Sequence, residues 1–375
     1  MTGQQDPQTQ VQNEKPAGVL GDRLRLMFAW YKGMVEPNTG RLLYRYDPET
    51  GVTVCDGEPI RDIAAIWDVE VLSAFLGRDD LRSLTRTSLT HFSRFIVERD
   101  DYAFVAPKTE QPSIAHSAFL ALALSRSELP DKIQRLTPLI EGILRQQRED
   151  GSYKVFFGAW PDSGQEFYPA EAMLSLLDAY HLTGKARYLA SVERGFAHYR
   201  HAYYDRGRVP PYLLVFFANW QAQAGRLLFE ATSKPEVKEC VREFLFELHD
   251  RVIESGFYDR IARRPEAQAC VEVACALEGI ADAYAIAAAG RDRRMADYRR
   301  CALTALGFLM RAQRRTGCTD RERGGFGASL AIREQRIDVT GHVASGFMKC
   351  VENGIDGGVG GTEAQGGQGV GSPAA

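Results

Sequence analysis

Helix-forming segments of two kinds alternate along this chain, and this alternation constrains the fold more than any other feature of the sequence. Segments such as 131–149 and 293–315 carry charges on one side and apolar residues at intervals of three and four. The segments that follow such helices, among them 113–124, 171–180 and 271–289, are small and apolar on nearly all sides. Because a one-sided helix faces water and an apolar helix is buried, the sequence predicts an outer and an inner layer of helices.

A loop with Gly and aromatic residues separates each outer segment from the next inner one. The six loops lie at 38–46, 99–107, 148–160, 203–212, 254–260 and 321–329. Their spacing of roughly 50 to 70 residues exceeds the roughly 34 of a tetratricopeptide repeat and the 40–47 of a HEAT repeat, which disfavours an open solenoid. The pattern predicts an all-α fold, an (α/α)6 toroid of six helical hairpins with apolar inner helices and amphipathic outer helices. A straight helical bundle is the alternative.

Composition limits the domain and its partners. The chain has 375 residues, 45% of them hydrophobic, which is enough for one large core. We expect a disordered lead-in over 1–17, a single toroid domain over 18–354 and a disordered Gly-rich tail over 355–375. A formal net charge of -3 gives no reason to expect a nucleic-acid partner. Because no membrane span and no secretory signal are recognisable, we expect a cytoplasmic protein.

The seven cysteines show no metal-binding pattern. They are scattered, none belongs to a Cys-x-x-Cys pair, and none has a histidine at zinc-finger spacing. We therefore expect reduced thiols and no metal. No Rossmann or P-loop signature is present, so no cofactor is expected either.

Short motifs in the chain resemble known helical toroids. ILRQQREDGSYKV (143–155) resembles the helix–Gln–Gly–aromatic segments of α/α-toroid proteins. YPAEA (168–172) and RIDVTGH (336–342) resemble bacterial proteins of the six-hairpin glycosidase-like superfamily. This resemblance covers about residues 20–354 and implies a carbohydrate-processing protein. The superfamily includes unsaturated glucuronyl hydrolases, and neighbouring α/α-barrel groups include N-acylglucosamine 2-epimerases and terpene cyclases.

Two related groups are disfavoured by the sequence itself. Squalene-type terpene cyclases carry an Asp-x-Asp-Asp motif, which this chain lacks. Lanthionine cyclases hold zinc with a Cys and an adjacent Cys-His pair, and the chain contains no Cys-His pair.

The starts of the six inner helices are expected to meet at one end of the toroid, where the resemblance implies a funnel-shaped pocket. Aromatic and ionisable residues are concentrated at these starts, and a concave pocket of this composition is typical of a binding site. The candidate substrate-binding residues are Arg61, Trp67, Trp160, Glu166, Tyr168, Tyr212, Trp220, Glu272 and Arg336. The candidate catalytic residues are Glu171, Asp338, His342, His116 and Glu278.

Several of these candidates also have a structural interpretation. Glu166 and Glu171 lie at a helix start, where acidic residues complement the helix dipole. Asp338 fits a helix cap, or an ion pair with its neighbour Arg336. His342 follows Asp338 by four residues, one helical turn, so we expect the two side chains to meet and the carboxylate to orient a histidine base.

The first functional hypothesis is cleavage of a glycosidic bond in a small saccharide, including one that contains uronic acid. Hydrolysis normally needs two carboxyl groups that flank the bond. Glu171 and Asp338 are the expected pair, with Glu278 in reserve. Arg61 and Arg336 would then bind a substrate carboxylate.

Two other hypotheses stay open at this point. The first is epimerisation of a sugar, with His116 and His342 removing and returning the proton. His116, a lone histidine on an apolar helix, fits a core residue equally well. The second is a non-catalytic toroid that binds a polysaccharide or a protein partner. Two carboxyl groups, or two imidazoles, facing one cavity would favour catalysis.

Overall fold

The computed structural model describes residues 18–55, 59–108 and 110–355, so the predicted lead-in and nearly all of the predicted tail lie outside the described residues. In the described part of the chain the α-helices are α1 (Val19–Gly33), α2 (Pro59–Leu76), α3 (Arg82–Ser93), α4 (Ile114–Arg126), α5 (Lys132–Arg145), α6 (Tyr168–Thr183), α7 (Ala186–His198), α8 (Leu214–Ala231), α9 (Pro235–Glu254), α10 (Phe257–Arg263), α11 (Cys270–Ala289), α12 (Met295–Ala312) and α13 (Ile337–Glu352).

Six of these helices form a closed inner ring. Each packs on the next, and α13 packs back on α2; the ring order is α2, α4, α6, α8, α11 and α13. The outer helices that pack against this ring are α1, α3, α5, α7, α9 and α12, while the short α10 lies beside α12. The prediction of an all-α toroid of six hairpins is confirmed.

Burial follows the predicted difference between the two layers. In the inner helix α4, every residue from Ile114 to Ser125 is buried. The outer helix α5 buries only one face, which includes Leu136, Leu139 and Ile143. A helix enclosed by neighbours needs small apolar residues all round, whereas an outer helix needs them on one stripe.

The two ends of the ring are built differently. Short turns, such as 184–185 after α6, lead from inner to outer helices, whereas long loops, such as 146–167 before α6, lead from outer to inner helices. Gly184 ends α6 in the left-handed conformation at φ 67°, which glycine adopts without steric cost. All long loops therefore gather at the end of the ring where the inner helices begin.

Short strands within the long loops join the first and last hairpins. The strands of the described residues are β1 (Arg45–Tyr46), β2 (Thr53–Val54), β3 (Ile96–Glu98), β4 (Ala103–Val105) and β5 (Gln335–Arg336). β1 pairs antiparallel with both β2 and β5, and β3 pairs antiparallel with β4. Trp30 Nε1 donates to Gln335 Oε1 over 2.8 Å, and the Tyr31 hydroxyl donates to the Ile337 carbonyl over 3.1 Å. These contacts close the toroid between α1 and α13.

Two further findings concern the chain as a whole. No helix among the described residues is long and apolar enough to span a membrane. All seven cysteines are free thiols, four of them buried.

Candidate functional site

A small cavity, here called the N-terminal cavity, lies inside the ring toward the beginnings of the inner helices. Its volume is about 40 Å³, which is room for about three water molecules. Its lining residues come from α2, α4, α8, α11 and α13 and are Arg61, Ala64, Trp67, Asp68, Phe119, Trp220, Glu278, Asp338 and His342. Six of the candidates from the sequence are therefore brought together here: Arg61, Trp67, Trp220, Glu278, Asp338 and His342.

His342 forms an ion pair with Glu278 across two helices. The His342 Nδ1 lies 2.7 Å from Glu278 Oε2, and Asn219 Nδ2 donates to the same oxygen over 3.0 Å. Burial acts to lower the pKa of His342, but the neighbouring Cys275 and Glu278 raise it well above its usual value. Burial opposes ionisation of Glu278, yet His342 holds the pKa of this carboxyl below its usual value. The Glu278 carboxylate therefore favours the protonated form of His342.

Asp338 forms the ion pair with Arg336 that its structural interpretation predicted, and no hydrogen bond or ion pair with His342. Arg336 binds the Asp338 carboxylate with two nitrogens, its Nε lying 3.0 Å from Oδ1, and Arg61 Nε lies 3.7 Å from Oδ2. Both guanidinium groups also lie over the Tyr44 ring, at 5.0 and 5.5 Å from its centre. The prediction that Asp338 orients His342 was wrong, because the arginines occupy the Asp338 carboxylate and Glu278 takes its place.

The two arginines fix the charge of Asp338. Burial opposes its ionisation, but the hydrogen bonds and charge of Arg336, with help from Arg61, hold the pKa of Asp338 below its usual value. Asp338 is therefore a carboxylate at neutral pH. Arg61 and Arg336, predicted to bind a carboxylate of the substrate, bind this carboxylate of the protein.

Asp68 belongs to the site and was missed by the sequence analysis. It lines the N-terminal cavity, and burial, with the charges of Glu278 and Asp338, raises its pKa to about 7. A Cβ atom on Gly341 would overlap the Asp68 carboxylate, so the helix α13 leaves room for this group only because residue 341 is glycine. The signal in the sequence was its position seven residues after Arg61, two helical turns along the same face of α2.

Glu171 is a second carboxyl whose neutral form is favoured. Its side chain is 5% exposed, and its Oε2 has no hydrogen-bond partner among the described residues. Burial raises the pKa of Glu171 to about 8, against the opposing charge of His342. Glu171 is therefore mostly protonated at neutral pH, although it does not line the cavity directly.

His116 caps a helix. Its Nδ1 lies 2.8 Å from the Ser113 hydroxyl and 3.3 Å from the Ser113 backbone nitrogen, and its Nε2 contacts Glu110. Ser113 and His116 form the capping box of α4. His116 does not line the cavity that His342 lines, so the structure does not bring the two histidines of the epimerase hypothesis to one cavity.

The aromatic candidates divide into cavity walls and exposed loop residues. Trp220, 7% exposed, makes edge contacts with Phe119 and His342 at ring-centre distances of 5.9 and 5.7 Å. Trp67 packs against Phe119 as well. Trp160 and Tyr212 are 47% and 77% exposed on the long loops.

The remaining candidates lie outside the cavity lining. Glu166 accepts a hydrogen bond from the Tyr203 hydroxyl over 2.6 Å. Tyr168 packs edge-on against Phe156. Glu272 lies half-buried in the first turn of α11.

One group of side chains has the chemistry of a metal site. Potential ligand atoms of Cys275, Glu278 and His342 all lie within 4.8 Å of one another. Two ligands of a tetrahedral zinc ion, each about 2.0 to 2.2 Å from the metal, are about 3.4 Å apart. The 2.7 Å between His342 Nδ1 and Glu278 Oε2 is instead a hydrogen-bond distance. In this structure the trio is an ion pair beside a buried thiol.

Comparisons with known proteins identify the fold. No protein family and no curated protein matches the sequence. Solved structures do match over nearly the whole toroid. A sugar epimerase from a ruminal bacterium has a TM-score of 0.64 at 12% identity, covering 90% of this chain and 98% of that one.

Two further structures agree. Cellobiose 2-epimerase from Bacillus thermoamylovorans has a TM-score of 0.66 at 8% identity, covering 89% of this chain and 98% of that one. An unsaturated glucuronyl hydrolase specific for heparin has a TM-score of 0.60 at 11% identity, covering 89% and 97%. The chain has the (α/α)6 toroid fold. At such identities the similarity establishes this shared fold.

Proposed function

We propose that this chain is an enzyme that cleaves a glycosidic bond of a small saccharide at the N-terminal cavity. One observation carries the proposal: two carboxyl groups, Asp68 and Asp338, line the same cavity with their pKa values displaced in opposite directions. Environments that separate the pKa values of two neighbouring acids are typical of an acid and base pair. Hydrolysis of a glycosidic bond needs such a pair.

The two groups have distinct roles in this proposal. Asp68, protonated below about pH 7, donates its proton to the oxygen of the leaving group. Asp338, ionised and held by Arg336, faces the sugar and either activates a water molecule or stabilises the positive charge that develops on the ring. Glu171 is the alternative acid, since burial keeps it protonated as well.

The size of the cavity defines how substrate must enter. A volume of about 40 Å³ is smaller than a sugar ring, so the side chains above the carboxyl groups have to move apart when saccharide binds. The exposed aromatics Trp160 and Tyr212 on the long loops supply apolar faces for the outer part of the substrate. The neighbours named as sugar epimerases and a glucuronyl hydrolase support a saccharide as the substrate class.

The two alternatives receive less support. Epimerisation by two histidines needs two free bases, but His116 is engaged by Ser113 and Glu110, and His342 is paired with Glu278. A toroid that only binds a polymer or a protein would not need two carboxyl groups of opposite protonation in one cavity.

The test combines a substrate screen with two substitutions. Wild type, Asp68→Asn and Asp338→Asn are incubated with oligosaccharides, including uronic acid-containing ones, and new reducing ends are measured by mass spectrometry. Each variant is expected to lose roughly a thousandfold in kcat, as typical for removal of a general acid or base. Asp79→Asn, an exposed carboxylate in the turn after α2, is the matched control.

The pH dependence provides a second readout. The activity of wild type is expected to fall above about pH 7, as Asp68 loses its proton, and to fall on the acid side only below the usual pKa of an aspartate. Full activity of Asp68→Asn would refute the assignment. Sugar isomers without new reducing ends would establish an epimerase, and no conversion of any saccharide would favour a binding protein.

A further inference from the structure

A second cavity opens at the other end of the ring and is here called the C-terminal cavity. Its volume is about 430 Å³, within the range of small-molecule sites. All six inner helices contribute to its lining, which consists of Trp67, Val71, Ala74, Phe75, Leu122, Arg126, Leu174, Asp178, Gln223, Arg226, Leu227, Glu230, Asp282, Ser345, Met348, Lys349 and Glu352. Trp67 also lines the N-terminal cavity, so one indole lies between the two.

The walls of the C-terminal cavity differ in chemistry. α2 contributes only apolar residues, Trp67, Val71, Ala74 and Phe75. On α8, α11 and α13, by contrast, the lining contains five charged side chains: Arg226, Glu230, Asp282, Lys349 and Glu352. A ligand that fills this space therefore meets an apolar surface on one side and charges on the other.

The charged side chains that line the C-terminal cavity carry one more negative than positive charge. The lining contains the four carboxylates Asp178, Glu230, Asp282 and Glu352 and the three cations Arg126, Arg226 and Lys349. Each cation is paired: Lys349 with Asp282, Arg126 with Asp178, and Arg226 with Glu230, each at 2.5 Å. Glu352, exposed at the rim, has no ion pair among the described residues.

The helix ends reinforce this negative charge. α4 ends at Arg126 and α13 ends at Glu352, both of which line the cavity. The carboxyl end of a helix carries a partial negative charge from its unpaired carbonyl groups. Asp178 and Asp282, 6% and 4% exposed, lie deep in the cavity, and their charges are already balanced by Arg126 and Lys349.

The geometry points to a binding site for a small organic monocation at the C-terminal cavity. An ammonium group lies beside Glu352 at the rim, and its alkyl or aryl body packs against Val71 and Phe75 on α2. Aromatic faces attract a desolvated cation as well, which suits Phe75 and Trp67. This site is independent of the proposed saccharide chemistry, because it uses none of the carboxyl groups assigned to it.

Two matched pairs of probes test the charge requirement. Choline is compared with 3,3-dimethylbutan-1-ol, in which carbon replaces the charged nitrogen, and benzylammonium is compared with benzyl alcohol. Thermal unfolding of the full chain is measured at rising probe concentration, since a ligand that binds the folded state raises the melting temperature. Both cations are expected to give a saturable increase, and the neutral analogues to give none.

Two substitutions locate the binding. Ala74→Trp places a large side chain on the apolar wall, at an exposed position where it does not disturb the core, and is expected to weaken cation binding at least tenfold. Glu352→Gln is expected to weaken it about threefold, the size typical of a partly exposed charge pair. Glu239→Gln on the outer helix α9 is the matched control and is expected to change nothing.

Each outcome decides the proposal. Cation binding that is lost in Ala74→Trp and kept in Asp68→Asn assigns the ligand to the C-terminal cavity. Equal shifts with cations and with their neutral analogues would overturn the charge assignment. No shift with either cation, or binding unchanged in Ala74→Trp, would overturn the site.

Discussion

The two ends of the inner ring differ in whether their buried carboxyl groups have ion-pair partners. At the N-terminal cavity, half-buried Asp68 and buried Glu171 form no ion pair with an arginine or lysine among the described residues, and burial raises their pKa values to about 7 and about 8. At the C-terminal cavity, buried Asp178 and Asp282 each have a cation at 2.5 Å. The long loops enclose the first cavity, at about 40 Å³, while short turns leave the second at about 430 Å³.

Under the proposed function, this difference separates carboxyl groups that transfer protons from carboxyl groups that stabilise the fold. Perturbed carboxyl groups cost stability when they ionise and are concentrated at active sites. Ion-paired carboxylates hold neighbouring helices in register, and removing one leaves a buried charge without a partner. The same substitution, a carboxyl replaced by an amide, should therefore have opposite effects at the two ends.

The largest effect is expected for Glu171→Gln at alkaline pH. The folded pKa of Glu171 is about 8, above the roughly 4.3 of an unfolded glutamate. Folding thus keeps the proton, and the stability of wild type is lost as pH rises from about 4.3 to about 8, by roughly 4 kcal/mol. The glutamine variant lacks this loss.

Urea unfolding at pH 5 and pH 9 measures the difference. The two proteins should be equally stable at pH 5, and the variant should be more stable at pH 9. A variant that is already destabilised at pH 5 would show that the Glu171 carboxyl makes a structural hydrogen bond, and would argue against Glu171 as the alternative acid.

Asp282→Asn should have the opposite effect and lower the stability of the fold. Burial raises the pKa of Asp282, but Lys349 at 2.5 Å and Arg226 at 3.8 Å stabilise its charged form. The amide leaves the Lys349 amino group, 17% exposed, without a full partner, so we expect a loss of about 3 kcal/mol. Urea unfolding at pH 7 measures it, with exposed Asp79→Asn as control. An unchanged or increased stability would mean that burial of the Asp282 carboxylate also costs stability, despite its ion pairs.

Gly341→Ala tests how closely α13 approaches the Asp68 carboxylate. A Cβ atom there would overlap Asp68, whereas a Cβ on Gly346 of the same helix would lie 3.1 to 3.5 Å from the Leu277 side chain, a tight contact without overlap. We expect Gly341→Ala to lose about 2 kcal/mol of stability by overpacking and to lose saccharide turnover as Asp68 is displaced. Gly346→Ala should be close to neutral, since its gain in helix propensity offsets the crowding. Equal stabilities of both variants would show that α13 shifts to accommodate the extra atom.

The fold was predictable because the alternation of helix types is periodic. α4, apolar on every side, and α5, apolar on one, require an inner and an outer layer of helices, although a straight bundle also provides such layers. The site was predictable only in part, because a helix start identifies residues near the mouth of the ring. That rule found Asp338 and His342.

The contacts between the site residues could not be predicted from the sequence. Spacing of four along α13 suggested that Asp338 meets His342, but the partner is Glu278 from α11, 64 residues away. Asp68 directly follows the candidate Trp67 in α2, but its spacing of seven residues from Arg61 was not used to find it. The contacts of His116 were equally hidden, because a capping box can place a polar side chain at a helix start for structural reasons alone.

The smallest effect on stability is expected for Trp160→Ala. This variant also tests whether ligands bind independently at the two ends of the ring. Trp160 is 47% exposed and faces the loop that carries Gly158, so its truncation should change stability by less than about 0.5 kcal/mol. Saccharide affinity, measured by titration calorimetry on Asp68→Asn to prevent turnover, should fall roughly tenfold if the indole covers a sugar face. Met295→Ala, a similarly exposed apolar truncation at the start of α12, is the control.

Binding of organic cations should be unchanged in both variants, because the two ligands enter the ring from opposite ends. If Trp160→Ala weakened cation binding as well, the two cavities would communicate through Trp67, and the division of the ring into a reacting end and a binding end would have to be given up.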